Sequence, residues 1–292
     1  MNVETKRWVE EVSGCRVVAS AALVGGVSSA VHRCSLDDGR EVVVRHIDDQ
    51  AWLDREPYLI RAEATALGLA AADGLPVPDH LASDPVAGRL LMSLLPGAPA
   101  IGVEHLEASL DRFAALAASI ASVELTTGHD LPVWRPWRPS VLDPPSWGSQ
   151  QLWNRAIAAY RSRSATGAAG TSVLLHRDLH PLNVLWHGRR LTGIVDWVNA
   201  CTGHPHAELY HARFNLTVLG DLELADEFLA RYVAITERSE PYDPRWDLET
   251  PISLLGSQPS GTAWRAFGRA DLTDAEIWSS IERFVAAALA DM

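Results

Sequence analysis

Three side chains that lie close together in the chain carry oxygen chemistry. Asp178, Asn183 five residues on and Asp196 after a short apolar stretch all fall within HRDLHPLNVLWHGRRLTGIVDW. Residues 184–186 and 191–195 read as two strands around a turn at 187–190. If they pair antiparallel about that turn, opposed residue numbers sum to about 379, which sets Asn183 against Asp196. Residues directly opposed in such a ladder have Cα atoms roughly 4.5–5.5 Å apart. An amide oxygen and a carboxylate at the same end of one hairpin suit a hard cation such as Mg²⁺. Asp178 precedes the hairpin in a loop stiffened by Pro181, free to face a hydroxyl and take its proton.

HRDLHPLN also matches the kinase catalytic-loop template H-R-D-x-x-x-x-N. The chain departs from protein kinases in telling places. His180 stands where Ser/Thr protein kinases usually carry Lys, Asp196 is followed by Trp and Val rather than Phe and Gly, and no A-P-E motif follows. HxDxHPxN followed by [IV]DW instead resembles the aminoglycoside phosphotransferase-like family of small-molecule kinases. The stretch HRDLHPLNVLW…LTGIVDWVNACTG is similar to a bacterial branch of it whose substrates are largely unassigned. The resemblance runs from about Leu23 to Leu255.

The resemblance implies an α+β, bilobal protein-kinase-like fold. A nucleotide-binding lobe of β-sheet and helix spans residues 1–95 and ends in a hinge; a mostly helical catalytic and substrate-binding lobe spans 96–292. It implies Asp178 as the proton acceptor, Asn183 and Asp196 as Mg²⁺ ligands, and ATP as phosphoryl donor, with GTP left open. Arg45 occupies the place of the phosphate-pairing lysine, and Glu63 that of the glutamate that holds it; Arg does this work bidentately, with a different reach from an ammonium. In the hinge, the Ser93 carbonyl and Leu95 N–H would bond the adenine edge, with Met92 behind it. His180 would lie near the phosphates, and His176 would brace the catalytic loop. Glu208 stands in GHPHAEL where the family usually has Asp, a residue expected to brace the loop rather than react.

These groups need elements to hold them. Residues 17–23, 30–36 and 41–47 read as three strands, with Gly25-Gly26 breaking the first pair and Asp38-Gly39 a hairpin turn. Gly25, Gly26 and Ser28, between the first two strands, are placed to cover phosphates with backbone N–H groups. The stretch also approaches a hydrolase elbow, G-x-S-x-G, but Ala30 and a strand follow where a Gly and a helix are required. A helix is expected over 55–72 and a strand over 89–94, followed by a linker at Pro96-Gly97-Ala98-Pro99. Leu106, Leu110, Phe113, Ala117 and Ile120 recur at helical spacing. Residues 131–147, rich in Pro and Trp, read as a loop, as do 162–170. Helices are expected near 208–219, 222–236 and 274–289, the last opening on a Thr273-x-x-Glu276 capping box.

Bulk properties narrow the classes. A chain of 292 residues with 47% hydrophobic content buries a large core. Net charge −12 argues against nucleic acid, which needs clustered cations; it would draw a cationic small molecule or serve solubility alone. Lys6 is the only lysine, so a P-loop, which needs G-K-[ST], is excluded. Cys15, Cys34 and Cys201 fit a reduced, cytoplasmic protein, and there is no apolar leader or membrane-spanning run. His176, His180, His204, His206 and His211 invite a zinc reading, but His204-x-His206 cannot form the H-E-x-x-H pair. The expected partner is a small-molecule hydroxyl, on an aminoglycoside or related cationic natural product, or else on an amino alcohol, macrolide or sugar. No obligate protein partner is evident. Asp221, Glu223 and Asp226 are candidates to meet a cationic acceptor or to be a solvated helix face. A protein kinase and a nucleotide-binding regulatory pseudokinase are the rival classes.

Overall fold

The computed structural model describes residues 1–23, 29–139, 141–162, 172–237 and 240–292. The chain divides into two compact units. One comprises residues 1–98, 123–132 and 185–201, the other residues 99–122, 133–184 and 202–292. No helix among the described residues is long and apolar enough to cross a membrane.

The first unit opens with helix α1 (Val3–Ser13), whose Asn2 side chain accepts from the Thr5 N–H. Strands β1 (Val17–Ala22), β2 (Ala30–Leu36) and β3 (Glu41–His46) follow as antiparallel neighbours. The expected single helix over 55–72 is two helices, α2 (Gln50–Arg55) and α3 (Leu59–Ala72). Pro57 is the cause: it has no N–H to donate and drives Glu56 out of helical geometry, to φ −132°, ψ 65°. Strand β4 (His80–Asp84), absent from the sequence reading, pairs with β5 (Arg89–Ser93), giving a five-stranded sheet in the order β1-β2-β3-β5-β4. Side chains alternate across β3. Val42 and Val44 join Val9, Cys34, Leu36 and Leu91 in an apolar cluster beneath α1, whereas Val43 and Arg45 share the opposite face. On that face Arg45 meets Glu63 of α3.

A two-residue strand, β6 (Ala98–Pro99), precedes α4 (Val103–Ile120), the helix carrying the expected apolar stripe. The 131–147 segment is largely loop, with one bridge from Val133 to Thr202. Helix α5 (Gln150–Ser162) was not anticipated; Trp153 on it is fully buried, and its last residue, Ser162, was expected to begin a loop. The rest of that expected loop lies mostly outside the described residues. Strands β7 (Val173–Leu175), β8 (Val184–His187), β9 (Arg190–Ile194) and β10 (Cys201–Gly203) follow, β7 pairing with β10 and β8 with β9. The β8–β9 turn is two residues, Gly188-Arg189, rather than the four expected, with Gly188 at φ +60°. Helices α6 (His206–Leu219), α7 (Leu222–Thr236), α8 (Glu249–Ser253), α9 (Thr262–Ala266) and α10 (Asp274–Ala290) complete the chain. The capping box at Thr273 and Glu276 is formed in both directions. Phe113 of α4 packs on Phe228 of α7 at 5.3 Å between ring centroids, and Phe214 of α6 on Phe284 of α10 at 5.9 Å. Nearly every position of α6 is buried, which fixes its orientation.

Candidate active site

Two constellations stand out, one in each unit. In the first, Arg45 is 3% exposed and Glu63 1%. The Arg45 guanidinium lies 3.1 Å from Glu63 through Nε and 2.9 Å from Asp196 through Nη2, while Nη1 donates to Ser29 Oγ at 2.7 Å. Burial pushes the Glu63 carboxyl up to about 7; Arg45 opposes this, and the like charge of Asp196 adds to it. Burial disfavours charge on Arg45, but the two carboxylates outweigh it and raise its pKa. Asp196 follows β9 in left-handed backbone, φ +72°, ψ +56°, an unusual geometry for a non-glycine residue. Trp197 beside it is fully buried and donates from its indole to the Ile194 carbonyl at 3.2 Å.

In the hinge stretch, Met92 is buried on β5 opposite Val43. Ser93 is tied to Asp79 twice, its N–H donating to the Asp79 carbonyl at 3.0 Å and its Oγ accepting the Asp79 N–H at 2.8 Å. The Leu95 N–H donates to no group among the described residues. Gly25, Gly26 and Ser28 lie outside the described residues.

In the second unit, the loop after β7 is built around Asp178, whose side chain is 23% exposed. Asn183 closes a 3-10 turn (Pro181–Asn183) and donates from Nδ2 to the Asp178 carbonyl at 2.9 Å. Its Oδ1 is left without a hydrogen bond among the described residues. The turn and the end of β9 at Ile194 correct the expected register: neither Asn183 nor Asp196 is a rung of the β8–β9 ladder. The turn at Gly188-Arg189 explains why: opposed residue numbers sum to 377, which runs Asn183 towards Ile194 rather than Asp196.

Helix α6 reaches the loop twice. Glu208 and His211 are three residues apart and share one face. The Glu208 carboxylate accepts the backbone N–H of His176 and, at 3.0 Å, that of Arg177. The longer glutamate therefore does brace the loop. Burial pushes its carboxyl up to about 7 against those backbone donors. His211 Nε2 lies 3.0 Å from Asp178 Oδ1, and its Nδ1 is 3.2 Å from Thr250 Oγ1. His180 Nε2 is 3.6 Å from the same Asp178 oxygen, while His180 Nδ1 accepts the Leu182 N–H at 3.3 Å. Burial alone would raise the Asp178 carboxyl; His180, the His211 hydrogen bond and His176 outweigh it and hold the group well below the usual carboxylate range. Asp178, His180 and His211 form the sole cluster among the described residues with metal-ligand spacing.

His211, weighed in the sequence only as a possible zinc ligand, is the residue whose contact with Asp178 was not anticipated. Its signal was the Glu208-x-x-His211 spacing on a helix already expected to touch the loop. Two further side chains adjoin it. Trp137 packs edge-on to His211 at 6.3 Å between centroids, and the Arg177 guanidinium lies 4.1 Å over the Trp137 ring. Of the acidic residues considered for a cationic acceptor, Asp221 caps α7 by accepting the Leu224 N–H at 2.9 Å, Asp226 pairs with Arg213 at 3.0 Å, and Glu223 lies exposed in the first turn of α7.

An antiparallel-sheet lobe, a helical lobe and a buried Asp-centred loop define a kinase-like α+β fold. The chain belongs to the phosphotransferase enzyme family, whose profile matches residues 21–244. It is accordingly a phosphotransferase. Among solved structures it is similar to a thermostable mutant of the aminoglycoside phosphotransferase APH(4)-Ia, in ternary complex with ADP and hygromycin B. That match has 16% identity, covers 99% of this chain and 98% of the other, and gives a TM-score of 0.62. The macrolide 2'-phosphotransferase MphH from Brachybacterium faecium matches at 20% identity, covering 98% and 97%, with a TM-score of 0.55. A putative fructosamine-3-kinase from Thermobifida fusca matches at 20% identity, covering 98% of each chain, with a TM-score of 0.57. No curated protein matches the sequence significantly.

Proposed function

We propose that this protein transfers the γ-phosphoryl group of ATP, with Mg²⁺, to a hydroxyl of a small molecule. The observation that carries the reading is the Asp178 loop: a part-exposed carboxylate bonded by His211, in a loop whose backbone is held by Glu208 and Asn183. A carboxylate held this far down is a weak base. Its work is to align the hydroxyl and to receive the proton late, as suits a loose transition state.

The remaining roles follow from donor chemistry. Asn183 and Asp196 would hold Mg²⁺, because the Asn183 amide nitrogen is already spent on the Asp178 carbonyl and its oxygen is left to coordinate. Bound there, the ion neutralises charge on the phosphate oxygens. Arg45, anchored by Glu63, would orient the phosphates, and the unengaged Leu95 N–H suits an adenine edge. His180, whose Nδ1 accepts the Leu182 N–H, would offer its Nε2–H near the transferred group. The nucleotide would thus be served by the unit carrying the five-stranded sheet, and the acceptor by the unit carrying α6. Net charge −12 by itself favours a cationic acceptor such as an aminoglycoside, and the same chemistry serves an amino alcohol, macrolide or sugar.

The test is a mass-spectrometric screen for Mg²⁺- and ATP-dependent phosphate addition across these acceptors, with Asp178→Ala as control. A product lost in the variant is expected. Failure of the wild-type protein to bind ATP at all would overturn the reading.

A further inference from the structure

We propose that the acceptor carries an anionic group, a carboxylate or a phosphate ester, and that Arg177 mounted on Trp137 receives it. The term acceptor rests on the phosphotransfer reading; the anion site itself does not.

Arg177 sits at φ +68°, a left-handed backbone that a β-carbon disfavours and that glycine would occupy without strain. The position nonetheless carries a long cationic side chain. Its guanidinium lies 4.1 Å over the Trp137 ring, and one Nη2–H donates to the Arg135 carbonyl at 2.6 Å. Those contacts orient the cation without neutralising it. No carboxylate lies within ion-pair distance among the described residues, and the buried Nε has no hydrogen-bond partner. A part-buried guanidinium held flat and left uncompensated is what recognition of a planar carboxylate or a phosphate requires.

Its location ties it to the reacting hydroxyl. Trp137 leans edge-on against His211, and His211 touches Asp178. Arg135 and Arg138, flanking Trp137 in the sequence Trp134-Arg-Pro-Trp-Arg138, also lack a carboxylate partner among the described residues. Of the acidic side chains weighed for a cation, Asp221 caps a helix and Asp226 pairs with Arg213, while Glu223 lies exposed on α7. Arg135, Arg138 and Arg177 thus bring fixed positive charge without a carboxylate partner, among the described residues, to the segment that packs on His211.

Malonate is a suitable probe. It is titrated calorimetrically into the full chain, both alone and saturated with Mg²⁺ and AMP-PNP, beside hygromycin B as a cationic comparison. Malonate is expected to bind the wild-type protein, and Arg177→Gln to weaken it by about tenfold or more, the loss of one charge-assisted contact. Arg177→Gly, which suits the backbone, is expected to show the same loss in a protein at least as stable. Trp137→Ala should weaken malonate binding less. Hygromycin B binding with no malonate binding, or malonate binding equal in wild type and both Arg177 variants, overturns the proposal. If AMP-PNP fails to bind, the phosphotransfer reading falls, while the titration without nucleotide still decides the anion site.

Discussion

Arg45 Nη2 lies 2.9 Å from Asp196 Oδ1, so the residue standing in the lysine's place grips the carboxylate assigned to the metal. The same guanidinium holds Glu63 from its Nε. One cation thus serves two carboxylates, and under the proposed mechanism loading with Mg²⁺ and nucleotide would exchange the Asp196 contact for phosphate.

Arg45→Gln is expected to destabilise the protein by about 3 kcal/mol, since it strands the buried Glu63 carboxylate beside the part-exposed Asp196. Arg45→Lys keeps the charge but not the fork and should cost less, while weakening nucleotide binding. Urea denaturation and AMP-PNP titration of the two variants separate these effects. Equal stability of Arg45→Gln and wild type would show that the buried triad carries no structural weight.

Asp178→Asn should lower kcat by roughly 10²–10⁴, the usual range for a positioned proton acceptor. Nucleotide affinity should stay within about twofold, because Asp178 lies on the acceptor side of the proposed mechanism. Single-turnover kinetics beside AMP-PNP binding check this. A matched loss of both would move Asp178 out of the acceptor role.

Stability is expected to rise as pH falls from 8 to 5. Glu63 and Glu208 have folded pKa values of about 7, above the ordinary 4.5, so their contribution is fully present below 4.5 and lost as pH rises through 7. Asp178 acts oppositely, its folded value lying below 3.8, so its contribution is present above 3.8 and lost only in stronger acid. Urea midpoints at pH 5 and 8 should differ less in Glu208→Gln than in wild type. An unchanged difference would exclude Glu208 as a source of the slope.

Gly97→Ala should cost about 1–3 kcal/mol. Its φ of +105° is hostile to a β-carbon, and that atom would sit 2.5 Å from Thr192 Oγ1 and 2.8 Å from the Trp186 carbonyl oxygen. Gly188→Ala, at φ +60° with open space around it, should cost about 1 kcal/mol. Comparing their denaturation midpoints separates steric from purely conformational cost.

Local spacing made much of this legible. Asp38-Gly39 announced the β2–β3 hairpin, Thr273 and Glu276 announced α10, and Asp178 with Asn183 announced the loop. What failed was what depends on remote partners or on fine backbone state. Pro57 was not weighed against an otherwise helical run, so α2 and α3 were read as one. β4 is short and poorly patterned, stabilised by pairing with β5 rather than by its own residues. The Asn183–Asp196 opposition rested on a sum of about 379, whereas a turn centred between Gly188 and Arg189 gives 377 and runs Asn183 towards Ile194; a sum two too high misplaces every opposition along the ladder. His211 and Trp137 became visible only when α6 and the 131–147 segment were placed beside Asp178.

Arg45 also decides which reagents can report on this protein. Probes that mark nucleotide sites by acylating an ε-amine require a deprotonated lysine. Here that position holds a guanidinium, which stays protonated and unreactive at neutral pH. The lone lysine, Lys6, lies on α1 in an i,i+4 pair with Glu10, outside the proposed site. Amine-directed chemical profiling would pass over the site in silence, while a dye on Lys6 would serve as a label that leaves it untouched.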